Sequence, residues 1–205
     1  MPSGFIPPAE RFGLMPSVDR WVIHHAILLL KYASKFTPRL SINLSAASFR
    51  DDSIIDFVAD EINNGNIDAR RLTFEITETI AMADLSMTAH NLRMLQDLGC
   101  RTSLDDFGAG YSSYAYLKDL PVHYVKIDGS FITGLVDNKL NREIVQSMHN
   151  IAHIMGKETI AEFVESEETA RLLTEMGVNY LQGYYIGEPE ITAFDLEPFD
   201  PSAED

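Results

Sequence analysis

Short apolar runs alternate with longer segments of helical period along this chain. Residues 40–44, 72–76, 102–106, 123–127, 159–163 and 179–186 are short, apolar or β-branched and bounded by polar residues, which predicts six strands. Residues 19–36 carry Trp21, Val22, Leu28, Leu29 and Leu30 on several sides, which predicts a helix buried around most of its circumference. Residues 87–98, 141–155 and 167–176 also read as helices, and each runs into a glycine (Gly99, Gly156, Gly177). Glycine is the residue that most readily takes the left-handed turn ending a helix. Strands alternating with helices form a parallel sheet with both faces covered, an α/β fold. No low-complexity block or Pro/Gly/Ser linker interrupts the pattern, so residues 1–197 read as one domain. Residues 198–205 are acidic, contain Pro198 and Pro201, and are expected to form a disordered tail.

The polar residues within this pattern fall at or near the C-terminal ends of successive predicted strands. They are Asn43, Glu75, Asp105 and Asp106, Lys126, Glu162 and Gln182. In a β/α barrel those strand ends converge on one rim, the rim where active sites are built. The expected fold is therefore a TIM-type (β/α) barrel.

The chemistry at that rim is readable residue by residue. Asp105 and Asp106 close a strand, and two adjacent carboxylates can hold one hard cation or bridge two; a turn in which Asp bonds its own backbone is about as probable for the pair alone. Two cations about 3.5–4 Å apart can clamp the attacking and leaving oxygens of a phosphoryl displacement. Glu75 lies inside a strand, and a carboxylate there needs a partner because barrel strands are covered on both faces. Asn43 offers an amide oxygen for a cation or, equally, caps a strand end. Lys126 is costly to bury unless paired; it would bind a phosphate oxygen, orient a water, or form a structural ion pair. Asp128, two residues on, is expected to cap the next turn. Glu162 is placed for a metal or water, and Glu165 for bracing a loop. Gln182 brings an amide to the rim, with Tyr184 and Tyr185 able to stack on a base or simply pack. Gly108-Ala109-Gly110 lacks the lysine of a phosphate-binding loop and reads as the hinge of a lid continuing through Tyr111-Ser112-Ser113. His149 and His153 lie one helical turn apart without an acid to complete a zinc site, so they read as a packed or solvated helix face. His24 and His25 read as helix surface.

Composition narrows the function. The formal net charge is −15, which disfavours DNA or RNA as a partner, since nucleic-acid binding needs basic surface to displace counterions. A small anionic ligand remains compatible, provided a metal ion or a placed lysine supplies local positive charge. No apolar run reaches the length of a membrane span, so no membrane contact is expected within this segment. The single cysteine, Cys100, excludes an internal disulfide and fits a reducing cytoplasm.

The segments Ile42-Asn43-Leu44-Ser45, Phe74-Glu75-Ile76-Thr77-Glu78, Asp105 through Ser113, Val125-Lys126-Ile127-Asp128, Ala161-Glu162-Phe163-Val164-Glu165 and Gln182-Gly183-Tyr184 resemble the EAL domain family in order and spacing. The resemblance runs from about residue 5 to residue 189. It implies a bacterial phosphodiesterase that linearises cyclic di-GMP to pGpG with Mg²⁺ or Mn²⁺. By position it implies Asn43, Glu75, Asp105 and Asp106 as metal ligands, and Lys126 and Glu162 as the groups handling water and phosphate. It implies Gln182 beside them, Glu78 tethering a lid that begins at Phe107 and Gly108, and Glu165 as a supporting brace. Phe163 departs from the pattern, because the family normally has glycine there.

The resemblance also implies two strands before this segment, the second carrying the Glu-Ala-Leu signature whose Glu binds metal. Phe5-Ile6-Pro7-Pro8-Ala9-Glu10 matches the stretch that follows them. Six strands of a barrel's eight are thus expected here, with open edges at 40–44 and 179–186. On that reading the segment self-associates, as a homodimer or otherwise, and is impaired in activity. The alternative functions are a cyclic di-GMP sensor that binds without cutting and a regulatory dimerisation module; the presence of every other expected site residue favours the enzyme.

Overall fold

The computed structural model describes residues 2–32, 39–51, 53–110 and 114–189. The chain divides into two compact units, one built chiefly from Met1–Ile76 with Arg93–Arg101, the other from Thr77–Leu92 with Thr102–Thr192.

The first unit contains α1 (Pro2–Arg11), α2 (Met15–Tyr32), β1 (Leu40–Asn43), α3 (Ala46–Phe49), α4 (Ser53–Gly65) and β2 (Leu72–Thr77). The strands β1 and β2 run parallel, with Ile42 opposite Phe74 and Asn43 opposite Glu75. One face of α2 is covered: Ile23, Ile27 and Leu30, at helical spacing, are buried. Trp21 is 49% exposed and stacks on His25, so its side of α2 is open, while Val22, Leu28 and Leu29 are half-buried. Apolar content along a helix measures how much surface it offers, not how many neighbours cover it. The predicted helical residues 33–36 lie outside the described residues.

The helix α4 has no counterpart among the predicted elements, yet it buries Ile54, Ile55, Phe57 and Val58. It ends in a close approach to α2, since a Cβ at Gly65 would stand 2.5 Å from Ile27 Cγ2. The chain leaving β1 is fastened by Asp19, a buried carboxylate on α2. Its Oδ2 accepts from the Ser45 N–H at 3.0 Å and from the Ser48 hydroxyl at 2.6 Å. His24 departs from its reading as plain surface, because its Nδ1 lies 2.9 Å from Glu61 Oε2 on α4.

The second unit contains α5 (Glu78–Ala83), the start of α6 (Leu85–Asp97), β3 (Arg101–Phe107), α7 (Tyr114–Leu117), β4 (Tyr124–Ile127), α8 (Gly129–Ile132), α9 (Lys139–Ile154), β5 (Glu158–Ala161), α10 (Glu167–Glu175) and β6 (Tyr180–Leu181). Within it the strands pair in chain order, β3 to β6, every pair parallel. Parallel neighbours need a crossover, and the intervening helices supply it. Leu104, Phe107, Val125, Ile127 and Ala161 of the strands, with Val145, Ala152 and Leu173 of the helices, are all buried. Gly99, Gly156 and Gly177 take left-handed φ values of 91°, 73° and 89° just past α6, α9 and α10, as the sequence predicts. His149 is buried on α9, its Nδ1 2.8 Å from Thr159 Oγ1 and its ring stacked on His153, which matches a packed helix face.

The strand predicted over 179–186 is only Tyr180–Leu181. Gly183, at φ 155°, lies so close to the chain after β5 that a Cβ would meet Val164 N at 2.3 Å. The backbone then turns, with Ile186 and Gly187 N–H both donating to the Gly183 carbonyl. Apolar side chains over 184–186 mimic a strand, whereas the backbone contact with Val164 dictates a turn. The expected tail, 198–205, lies outside the described residues. Among the described residues no helix is long and apolar enough to cross a membrane.

Replacing Asp19 with Ala leaves the Ser45 amide and the Ser48 hydroxyl without this acceptor. The Asp19→Ala chain should lose about 2–3 kcal/mol of unfolding free energy. A urea denaturation curve reads this as a lower midpoint, and an unchanged midpoint would remove Asp19 from the account of how β1 is anchored.

Candidate active site

Consecutive residues on a regular strand point to opposite faces, which would separate Asp105 from Asp106. The end of β3 avoids this with a bulge. Leu104 pairs with Val125 and Phe107 with Ile127, so three steps along β3 match two along β4. Asp106 takes a left-handed φ of 55°, a conformation Asp tolerates better than a branched residue. Its N–H donates to Asp105 Oδ1 at 3.0 Å. As a result Asp105, Asp106 and Glu162 each offer an oxygen, all within 4.8 Å of one another.

Lys126, on β4, is 3% exposed. Its Nζ lies 2.9 Å from Asp105 Oδ1 and 2.9 Å from Glu162 Oε1. The β4–β5 register brings Glu162 there, since Ile127 pairs with Ala161 and Glu162 follows directly. One ammonium does not neutralise three carboxylates. Asp106 stays exposed at the surface, but partial desolvation raises its carboxyl from its ordinary value, and Asp105, Asp128 and Glu78 push it the same way against Lys126. Burial also raises Glu162, opposed by its bond to Lys126 and reinforced by Asp105 and Asp106. Surplus negative charge on an all-oxygen donor set is the environment a hard divalent cation relieves, and it contains no thiolate or imidazole to favour a softer metal.

The segment after β3 is tied down from α5. Thr77 caps that helix by accepting from the Ile80 N–H, which sets Glu78 in the first turn. Glu78 is buried; its Oε2 accepts from the Gly108 N–H at 3.1 Å, and its Oε1 accepts from the Tyr116 hydroxyl. Phe107 is fully buried, its ring 5.9 Å from that of Tyr114. Gly108, at φ 101°, packs so closely that a Cβ would fall 2.5 Å from Met148 Cε. A cleft of about 400 Å³ opens beside this anchor, lined by Glu78, Thr79, Met82, Asp106, Ala109 and Gly110. The remaining residues of the expected lid, Tyr111, Ser112 and Ser113, lie outside the described residues.

A second cleft, of about 290 Å³, is lined by Glu162, Phe163, Glu165, Gln182, Gly183 and Tyr184. Gln182 is held by its backbone: its N–H donates to the Ala161 carbonyl at 2.8 Å, and its carbonyl accepts from Val164 N–H at 3.0 Å. The side chains of Gln182 and Glu165 are exposed.

Residues 1–189 match the EAL domain family. This chain belongs to that family. Cyclic di-GMP phosphodiesterase PdeB of Shewanella oneidensis is 42% identical over 201 residues, 97% of this chain and 24% of that protein. Cyclic di-GMP phosphodiesterase PdeF of Escherichia coli K12 is 38% identical over 207 residues, 98% of this chain and 28% of that protein. The chain thus spans about a quarter of the length of these relatives. A solved complex of the PaMucR phosphodiesterase with c-di-GMP aligns with a TM-score of 0.86 at 33% identity, covering 92% of this chain and 78% of that one. The fold class is accordingly α/β, of the TIM-barrel type.

Within this EAL domain the structure brings Asp105, Asp106, Lys126 and Glu162 into one cluster, with Glu78 on Gly108 and Gln182 and Glu165 in the cleft that Glu162 lines. Asn43 and Glu75 face each other across β1 and β2 in the first unit, Asn43 exposed and Glu75 4% exposed. Asp128 caps α8, accepting from the Ser130 N–H at 3.0 Å. Sequence reasoning passed over Tyr116, whose hydroxyl bonds Glu78; no spacing ties two residues 38 positions apart. Phe163 adopts φ 53°. This left-handed backbone costs a side-chain-bearing residue about 1–2 kcal/mol and suits the glycine that the family pattern places there.

Truncating Glu78 should free the Gly108 amide. A hydrogen bond to a charged acceptor is worth about 1.5–3 kcal/mol, so Glu78→Ala should speed hydrogen exchange at Gly108 by about tenfold or more. Exchange at wild-type rate, followed by amide NMR, would mean that Glu78 does not tether this segment.

Proposed function

We propose that this domain hydrolyses cyclic di-GMP to linear pGpG. The observation that carries the reading is Lys126, buried between Asp105 and Glu162 in an acidic cluster, in a family whose relatives PdeB and PdeF are named cyclic di-GMP phosphodiesterases.

Asp105 and Asp106 fit as ligands of Mg²⁺ or Mn²⁺, with Asn43 and Glu75 as further oxygen donors on the family resemblance. A divalent cation bound there neutralises phosphate charge and makes a nearby water more acidic. Lys126 donates to a phosphate oxygen, where negative charge builds as the bond to the leaving 3′ oxygen breaks. Glu162 takes the proton of the attacking water. Gln182 orients the phosphate or the water, Glu78 holds the chain at Phe107 and Gly108, and Glu165 braces the rim.

The same reading covers the setting. Residues 1–197 act as one domain in the cytoplasm, without nucleic-acid partners, as a net charge of −15 suits. Self-association runs through the open strand edges at β1 and β6, each with one strand neighbour among the described residues; light scattering gives the mass that checks it.

Two measurements test the chemistry. Calorimetry with Mn²⁺ should show Asp105→Asn binding at least about tenfold more weakly than wild type, since even groups that only support metal ligands contribute that much. Equal affinities would remove the metal assignment. Turnover of cyclic di-GMP should fall by about 10²–10⁴ in Lys126→Ala and Glu162→Gln. Near-normal rates in both would leave ligand binding without cleavage as the function.

A further inference from the structure

We infer that His149 is a positioning residue for Gln182: acting through Thr159 and Asn179, it holds β6 in register on β5. The register is a property of the fold, and its bearing on catalysis rests on the cyclic di-GMP reading above.

The strand β6 needs such help. It is two residues long, with Tyr180 opposite Ile160 and Leu181 opposite Ala161. A slip of one residue would turn Gln182 to the other face, and so short a strand has little pairing to resist it. The close approach of Gly183 to Val164 fixes the far end of the segment. At the near end side chains do the fixing. Asn179 Oδ1 accepts from the Thr159 N–H at 2.8 Å and from the Thr159 hydroxyl at 3.3 Å. The hydroxyl gives its one proton to Asn179, so it accepts from His149, whose Nδ1 stands 2.8 Å away and carries the ring's proton. Gly177 closes the other side of the ring, since a Cβ there would be 3.2 Å from His149 Nε2. Helix α9, strand β5 and the turn after α10 therefore meet at one imidazole. Gln146 adds a second tie, its Nε2 donating to the Met176 carbonyl at 3.1 Å.

The clasp is sensitive to acid. His149 is 8% exposed, and burial, with His153 beside it, lowers its pKa from the ordinary histidine value. The titratable groups of the surrounding elements supply no compensating charge. His153 stacks on the ring from α9 and opposes a second positive charge. Lys157, before β5, donates to the Leu120 and Val122 carbonyls, and Glu158 accepts from the Tyr180 hydroxyl. Lys126 of β4 is held by Asp105 and Glu162, and Glu175 at the end of α10 is exposed, 3.8 Å from Arg171. Above the ordinary histidine range the seated ring and a released one are both neutral. Below it the released ring takes up a proton that the seated ring resists, so acid favours release.

Hydrogen exchange in the whole chain, followed by amide NMR, reads the register through the Gln182 N–H, which donates to the Ala161 carbonyl. At about pH 7.5, His149→Phe, which fills the ring's place without a donor, should cut protection at Gln182 about tenfold, the worth of a hydrogen bond. Thr159→Val should do the same. His149→Asn sets an amide N–H where Nδ1 lies and should keep wild-type protection. At about pH 5.5 wild type should lose up to about tenfold in protection while His149→Asn, which does not titrate, keeps it. Turnover of cyclic di-GMP should follow protection, with kcat falling about tenfold in His149→Phe and KM little changed, as for a group that acts on the chemical step. Wild-type protection in both the Phe and the Val variants would overturn the clasp. A loss in acid shared by His149→Asn would overturn its dependence on this imidazole. Lost protection with unchanged kcat would overturn the positioning role. A wild-type chain that does not turn over cyclic di-GMP would overturn the substrate reading, and exchange at Gln182 would still decide the clasp.

Discussion

The burial of Lys126 between Asp105 and Glu162 is the constraint on which the site depends. A buried ammonium is tolerated only with charged partners in good geometry, and two carboxylate oxygens at 2.9 Å supply it. The arrangement couples three strands, because Asp105 lies near the end of β3, Lys126 lies on β4 and Glu162 follows β5. Any shift in register between these strands would separate a charge from its partner. The parallel pairing that forms the sheet therefore also places the chemistry.

Charge balance then gives the site its character. Lys126 offsets part of the negative charge of Asp105, Asp106 and Glu162; burial raises Glu162 against ionisation, and partial desolvation with the neighbouring carboxylates raises Asp106. The bulge at the end of β3 creates this surplus deliberately, by turning two consecutive carboxylates to one side. A regular strand would have placed one of them on the other face, leaving a simple ion pair with no room for a cation's ligand set. The Glu78 anchor works on the chain just beyond the bulge, holding the Gly108 amide from the first turn of α5.

Much of this was legible in the sequence. Strand-forming runs separated by helical stretches showed the α/β class, because alternation in hydrophobic period is a local property of the chain. The polar residue closing each run marked Asn43, Glu75, Asp105, Asp106, Lys126, Glu162 and Gln182, and the EAL resemblance grouped them. Gly99, Gly156 and Gly177 marked helix ends because a left-handed residue is a local requirement. The helix α4 escaped notice although its buried residues are plainly apolar, since its burial depends on α2 lying against it. Trp21 stays exposed although its neighbours along the helix are covered, because apolar character does not say which side of a helix meets the core.

By itself the sequence determined the order of elements, the identity of the charged residues and the strand ends that carry them. Only the tertiary structure decided that Lys126 bridges two carboxylates, that Tyr116 bonds Glu78, and that a bulge turns Asp105 and Asp106 the same way. It also decided that the strand expected over 179–186 stops at Leu181, and that Phe163 rests its ring on Gly129. The reason is physical. Periodicity and turn preference act between residues a few positions apart, whereas ion pairs, register and the close approach of two backbones join residues that only the folded chain brings within reach.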